Sequence, residues 1–383
     1  MLSKGRWFPP AAFLFYKAAM GRTFPPSVWR ALAFALSCMP ACVLASSAIA
    51  QTTIIGVAGP VSGPLREAGE AMRAGVLSAI ASHQAAGATF EVMTLDDAGS
   101  QSTAIGIAQK LIAAKARFVI GHHASAPSLA AAPLYAKAGI VMISPTAASP
   151  KLNASALWNA IRLSPGEDDA AIAAARDLTK MHGASLAIAH DGNAQAQALA
   201  TLAAKAANLK TPVISFGSPK SSKLPDLRNA AILWTGSSAT GARFLQHLRE
   251  LDAKAFLFSH GPLSAPDFAE AAGAQAAGVR ALTPAIYWRP IPPELQKAWR
   301  AQGVRDLRTA LLAHAATQIG LAALGETDGK AMAAKIRSGE TFATIAGALR
   351  FNSDGSPQEA AHFWLEWVVA EDGKPALAPA PRN

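Results

Sequence analysis

Apolar residues recur along this chain in two alternating rhythms. Short runs such as TIIGV (53–57), FVI (118–120) and IVMI (140–143) are continuously apolar or β-branched. Between them lie longer stretches in which apolar positions return every three or four residues. The first rhythm predicts strands buried on both faces, and the second predicts helices. From residue 53 the order is a strand, a helix over 67–85, the strand FEVMTLDD (90–97), a helix over 103–115, the strand RFVIG (117–121), a helix over 127–138 and the strand GIVMIS (139–144). The pattern then restarts: a helix over 168–181, SLAIAHD (185–191), a helix over 195–208, PVISF (212–216), AAILWTG (230–236), a helix around 241–250 and AFLFSHG (255–261). Strands that are apolar on both faces and alternate with helices form parallel sheets covered on both sides. The expectation is therefore α/β, with two lobes and a first junction near 158–165.

After VRALTPAIYW (279–288) the spacing predicts helices near 293–302, 308–324 and 330–338. The end, GALRFNSDGSPQEAAHFWLEWVVAEDGK, predicts two strands around an Asn-Ser-Asp-Gly turn. No segment of 20–50 residues repeats in tandem.

Composition changes the picture at the amino end. The chain has 383 residues and a formal net charge of +10, from 35 basic and 25 acidic residues. Five of the basic residues, Lys4, Arg6, Lys17, Arg22 and Arg30, fall in the first 50 residues, which hold no acid. Taking five from 35 leaves 30 basic against 25 acidic residues, a net of +5 for the remainder. Lys and Arg do not cluster with aromatic residues, so nucleic acid is not an expected partner. Residues 31–50, ALAFALSCMPACVLASSAIA, follow Arg30 and end in Ala48-Ile49-Ala50. A basic flank, an apolar run and a small-x-small exit describe a secretory signal peptide over 1–50, cut near Ala50/Gln51, and imply a periplasmic protein. Pro40 and the small residues oppose a membrane-spanning helix. Either Met1 or Met20 can start this signal. Cys38 and Cys42, the two cysteines of the chain, both lie within it, and neither has a good leucine-led lipid-attachment pattern. The remainder carries no cysteine, so its apolar core must hold it together without disulfides.

Two polar turns draw attention: HHASAPS after FVI, and SPTAASP after IVMI. Ligands of open α/β sheets sit beyond the carboxyl ends of the strands, where both turns lie. Ser125-Ala126-Pro127 also reads as a helix start with Ser125 at the N-cap. Such a terminus presents free N–H groups and a partial positive charge to an anion such as a carboxylate.

With these motifs in place the chain resembles the periplasmic solute-binding proteins of the leucine/isoleucine/valine-binding class. The resemblance is carried by IIGVAGPVSGP (54–64), TLDDAGSQSTAIGIAQKLI (94–112), RFVIGHHASAPS (117–128), PLYAKAGIVMISPTAASPKL (133–152) and NSDGSP (352–357). It is specific in the first lobe and loose over 165–285. It implies the type I periplasmic-binding fold: two doubly wound α/β lobes with central, mostly parallel sheets joined by a hinge. Residues 51–160 would form the first part of lobe 1 and 161–285 lobe 2. Residues 286–383 would supply the return to lobe 1, the hinge and a C-terminal hairpin. It further implies a monomeric substrate-binding component of an ATP-binding-cassette importer, which closes on a small-molecule carboxylate and docks on an inner-membrane permease, with no cofactor. A ligand-sensing receptor on the same fold is the alternative.

Residue by residue, the resemblance implies that Ser125, with Ala126 beside it, contacts a ligand carboxylate and that the Thr146 main chain helps hold it. Ala148 falls where amino-acid binders of this class place a threonine facing the ligand ammonium. Asp191 lies in HDGNAQ (190–195), which lacks the tyrosine usual after His-Asp. His260 falls near the place of an acid that would pair with the ammonium, and Ala68 where an aromatic residue often covers the ligand. Ser62 and Ser237 are further candidates at strand ends, with Trp234 next to the latter. The carboxylate half survives while the ammonium half is depleted, which favours an organic, aromatic or keto acid over a free amino acid. A polar ligand held by different residues is the other reading. The places of a disulfide frequent in this class hold Gly99 and Ala124.

Other chemistry finds no support. His122 and His123 are adjacent and would face opposite sides of a strand, which opposes a shared metal. Asp96-Asp97 reads as turn and cap hydrogen bonding. There is no Gly-x-Ser-x-Gly elbow and no Walker-type phosphate loop. An enzyme is not expected.

Overall fold

The computed structural model describes residues 52–83, 89–154, 157–208, 213–217, 227, 229–251, 254–358 and 362–381. The expected export signal lies outside them.

The first sheet is built from β1 (Thr53–Gly59), β2 (Phe90–Asp96), β3 (Phe118–Gly121), β4 (Val141–Ser144) and β5 (Ala160–Arg162). All four pairings are parallel and the order is β2-β1-β3-β4-β5. The crossovers are α1 (Arg66–Ser82), α2 (Gln101–Ala113), α3 (Ser125–Lys137) and the short α4 (Lys151–Ala154). Alternate strand positions feed opposite faces, as a period of two requires. Ile55, Val57, Phe118 and Ile120 pack on one side, while Ala58, Val119 and Met142 pack on the other.

The second sheet carries β6 (Leu186–His190), β7 (Ile214–Ser215), β8 (Ala231–Trp234), β9 (Phe256–Ser259) and β10 (Arg280–Pro284). They are covered by α5 (Glu167–His182), α6 (Ala194–Ala206), α7 (Ser238–Glu250) and α8 (Pro266–Ala272). The chain then returns to the first lobe as α9 (Pro293–Ala301), α10 (Leu307–Ala322) and α11 (Gly329–Ile336), followed by the hairpin β11 (Phe342–Thr344) and β12 (Gly347–Leu349). Helix α10 is buried almost all round and lies against α1. Gly75 permits this approach, since a Cβ there would stand 2.2 Å from the carbonyl oxygen of Ala310.

The last strands, β13 (His362–Val369) and β14 (Pro375–Pro379), extend the second sheet by antiparallel pairing, giving the order β14-β13-β10-β9-β8-β6-β7. This corrects the expectation of two strands around the Asn-Ser-Asp-Gly turn. That turn is closed by one isolated bridge, Phe351 to Pro357, and by the Asn352 amide donating to the Ser356 carbonyl. It is held against the first lobe instead. The Arg162 amide donates to the Gly355 carbonyl, and Asn153 Nδ2 donates to the Asp354 carbonyl at 2.8 Å. Those bonds compete with extension of the hairpin.

Asp96 and Asp97 serve the turn they end. Asp96 accepts the amides of Val61 and Ala98, each at 2.9 Å. Asp97 accepts the Gly99 amide and pairs with the buried His122 Nδ1 at 2.6 Å. No helix among the described residues is long and apolar enough to cross a membrane.

Candidate functional site

Strand ends and connecting segments of both lobes surround a cavity of about 600 Å³. Thr146, Ala148, Arg308 and Leu312 line it from the first lobe. Glu167, Asn193, Ser237, His260 and Thr283 line it from the second, and Pro165 and Tyr287 from the connecting segments. Of the residues singled out in the sequence, Thr146, Ala148, Ser237 and His260 are therefore brought to one space.

Ser125 stands directly behind the first-lobe wall, in a role that differs from the one expected. Ala124 has the extended backbone of an N-cap, and Ser125 is already the first residue of α3. Its hydroxyl turns instead toward the loop after β4, where its oxygen accepts the amides of Ala148 at 3.2 Å and Ser149 at 3.1 Å. A hydroxyl oxygen engaged in this way keeps its own proton to donate. The Thr146 hydroxyl donates to the His123 carbonyl at 2.6 Å, so its polar end is already used. Ala148 offers the cavity a methyl group.

Five residues singled out in the sequence stand elsewhere. Ala126 is exposed and outside the lining. Ser62 is exposed too and hydrogen bonds to Asp96; that bond, with the amides of Ala98 and Val61, outweighs the effect of burial and holds the Asp96 carboxyl below its ordinary range. Asp191 caps α7. Its Oδ2 accepts the Ser237 amide at 3.0 Å and the Thr240 hydroxyl at 2.8 Å, and its Oδ1 accepts from Asn193 Nδ2 at 2.5 Å. Burial raises the Asp191 carboxyl, but these bonds prevail and leave it below the usual carboxylate range. A carboxylate whose oxygens are already taken by the start of a helix positions that helix. Trp234 is a core residue: fully buried, stacked on Phe244 with ring centroids 4.8 Å apart, and donating its indole N–H to the Ser237 carbonyl. Ala68 is buried on α1 and does not line the cavity.

Two charged residues of the lining were not singled out in the sequence. Arg308, in the first turn of α10, lies over the ring of Trp288 at 4.1 Å. Burial lowers its guanidinium below the ordinary range, against the attraction of Asp306. Glu167 opens α5 and accepts a hydrogen bond from the Gln195 side chain. Glu167 begins the helix that comes after β5 and the first junction, so the rule that ligands sit beyond strand ends could have found it. Arg308 carries no such signal, because a cation two residues after an N-cap reads as solvated surface.

His260 is 5 % exposed. Burial pushes its imidazole down to about 4, partly offset by a hydrogen bond to the Trp234 backbone, so the ring is neutral near pH 7. Tyr287 pairs its phenol with the Ser164 hydroxyl, and burial raises its pKa.

Two sheets present strand ends to a shared cavity, and no group of three or more potential metal ligands occurs among the described residues. A family model described as periplasmic binding protein matches residues 52–368. The Leu/Ile/Val-binding protein homolog 2 of Brucella abortus is 27 % identical over 356 residues, covering 88 % of this chain and 96 % of that protein. Among solved structures, the branched-chain amino acid transporter substrate binding protein LivJ from Streptococcus pneumoniae, in complex with isoleucine, aligns with a TM-score of 0.66 at 17 % identity, covering 86 % of this chain and 99 % of that one. A solute binding protein of an ABC transporter from R. palustris, in complex with 4-hydroxybenzoate, aligns with a TM-score of 0.67 at 18 % identity, covering 86 % and 96 %. The chain belongs to the periplasmic binding protein family, in its Leu/Ile/Val-binding branch, with the type I fold.

Proposed function

We propose that this protein is the exported, monomeric substrate-binding component of an ATP-binding-cassette importer, and that it carries a small organic acid across the periplasm to an inner-membrane permease. The observation that carries the ligand class is the first-lobe wall. A Ser125 hydroxyl with a free proton, the loop at Ala148 and the Arg308 guanidinium all favour a carboxylate. The methyl of Ala148 and the side chains of Ala170, Ala196, Leu199 and Leu312 favour an apolar body, aromatic or branched. The R. palustris relative in complex with 4-hydroxybenzoate is consistent with such a ligand. Closure of the lobes about the connecting segments would bury the solute and create the form that the permease meets.

Glu167 favours a second reading. It is the acidic side chain of the lining, and with Arg308 opposite in charge the cavity could take a zwitterion such as a branched-chain amino acid. Its carboxylate is already engaged by Gln195, which makes the acid the first choice. Hydrolysis at Ser125 finds no support, since the partners of its hydroxyl are amides rather than a base.

The test is a thermal-shift and calorimetric panel on residues 52–383. Branched-chain amino acids are set beside their keto acids, hydroxy acids and aromatic carboxylates. A ligand present at a hundredfold its Kd raises stability by about 2.7 kcal/mol, which such a scan detects. Shifts with the acids alone support the proposal, and a shift with leucine or valine alone selects the zwitterion. Co-purification with a permease, rather than with a receptor or kinase, separates transport from ligand sensing.

A further inference from the structure

Four threonines line the cavity, and their hydroxyls fall into two groups. Thr146 donates to the His123 carbonyl at 2.6 Å, and Thr235 donates to the Ala196 carbonyl at 2.9 Å. The protons of both are spent within the protein. Thr283, at the end of β10, and Thr309, in the first turn of α10, are as deeply placed, at 4 % and 5 % exposed. Neither hydroxyl has a hydrogen-bond partner among the described residues, yet neither is one of the sealed, unpartnered atoms of the interior. Each oxygen therefore keeps some contact with open space, and the open space that borders both residues is the cavity. Buried hydroxyls are rarely left without a partner, and valine would fill the same space without that cost. The two stand on different lobes, Thr283 on the second and Thr309 on the first.

We infer that Thr283 and Thr309 are specificity-determining residues, whose hydroxyls hydrogen bond to an oxygen substituent that the bound acid carries besides its carboxylate. This rests on the function proposed above and narrows its ligand class. A carboxylate accepts about four hydrogen bonds, of which Ser125 and a bidentate Arg308 take about three, so two further hydroxyls call for a second group. A threonine O–H both donates and accepts, so it serves a hydroxyl or a keto oxygen alike and finds nothing on a methylene or an unsubstituted ring. The ligand is then an oxygenated acid, hydroxy or keto, in preference to the deoxy compound of the same skeleton. A site that hydrogen bonds a substituent rejects the analogue lacking it far more strongly than an apolar pocket rejects an added group.

Calorimetric titration of residues 52–383 with matched compounds tests this. 4-Hydroxybenzoate is set beside benzoate, and 2-hydroxy-4-methylpentanoate and 4-methyl-2-oxopentanoate beside 4-methylpentanoate. The expected result is a Kd lower by roughly tenfold for the oxygenated compound of at least one skeleton, the effect of one hydrogen bond or more. In Thr283→Val or Thr309→Val that gap closes, while Kd for the deoxy compound stays within about twofold. The corresponding serine variants, which keep the hydroxyl, retain the gap. Melts without ligand give an independent reading: because the hydroxyls have no partner in the protein, both valine variants should melt at the parent's temperature or higher. A lower melting temperature in both, or failure of both to fold, would show the hydroxyls engaged within the protein and overturn the inference. Equal affinity across each skeleton, a gap that survives in both valine variants, or an equal loss for oxygenated and deoxy compounds also overturns it, and leaves the carboxylate proposal standing. Absence of binding by every carboxylate overturns that proposal and the inference with it.

Discussion

The Ala148 amide donates to the Ser125 hydroxyl at 3.2 Å, tying the first turn of α3 to the loop that follows β4. Two adjacent amides depend on the same oxygen, since Ser149 donates to it as well. Ser125→Ala therefore leaves these two amides without that partner and, on the function proposed above, removes a ligand donor. Unfolding in urea is expected to show a loss of about 1–3 kcal/mol, and calorimetry a Kd for the bound acid raised tenfold or more. Ser125→Thr, which keeps the hydroxyl, is expected to recover most of the stability. An unchanged Kd in the alanine variant would remove Ser125 from the site.

Arg308 makes a separable contribution. Its guanidinium lines the cavity and stacks on Trp288. Arg308→Gln is expected to weaken binding of a monocarboxylate by about tenfold and to reduce the dependence of Kd on salt, while shifting the urea midpoint little. Equal salt dependence in the variant and the parent would show that the ligand charge is held elsewhere.

Stability should fall on mild acidification. His260 and His314 are both pushed by burial to about 4 in the folded protein, below the ordinary 6.5. Between these values the unfolded chain binds protons that the folded one does not. Stability is then lost as the pH falls from about 6.5 toward 4, at up to about 1.4 kcal/mol per pH unit for each histidine. His314 also meets the Ser78 hydroxyl at 2.9 Å through Nδ1. In His314→Gln, urea midpoints measured across this window should show a slope smaller by about one proton. An unaltered slope would mean that other groups carry the effect.

The packing of α1 on α10 depends on an absent side chain. A Cβ at Gly75 would approach the Ala310 carbonyl oxygen to 2.2 Å and force the helices apart. Gly75→Ala is expected to cost about 1–3 kcal/mol by urea denaturation, despite the better helix propensity of alanine. Because α10 carries Arg308, ligand affinity should fall with it. A neutral or stabilising effect would show that the two helices are not held at this distance.

Asp191 separates a capping role from a binding role. Asp191→Ala uncaps α7 and is expected to cost about 0.5–2 kcal/mol. Ligand affinity, read by calorimetry at a temperature where the variant is fully folded, should change by less than about threefold. A loss beyond tenfold would return Asp191 to the ligand.

Much of this protein was determined by local pattern. Residues such as Ile55, Val119 and Leu233 sit in runs apolar on both faces, and a strand of that kind has to be covered on both sides, which calls for alternating helices and a parallel sheet. The polar turns at 121–128 and 144–150 mark strand ends for the same reason, so the region of Thr146 and Ala148 was legible without coordinates. The roles of single side chains within those turns were not. Whether Ser125 caps its own helix or holds the amides of Ala148 and Ser149 depends on a one-residue shift in where the helix begins, and hydrophobic periodicity does not resolve that. Asp191 looked like a wall residue because its loop is near the cavity, but Ser237 and Thr240, 46 and 49 residues further on, take its oxygens. Arg308 and Glu167 belong to elements whose own patterns describe only a helix start. They become parts of one site because α10 packs on α1 while α5 begins beyond β5, and that juxtaposition of distant segments is set by packing between elements rather than by the residues next to either one.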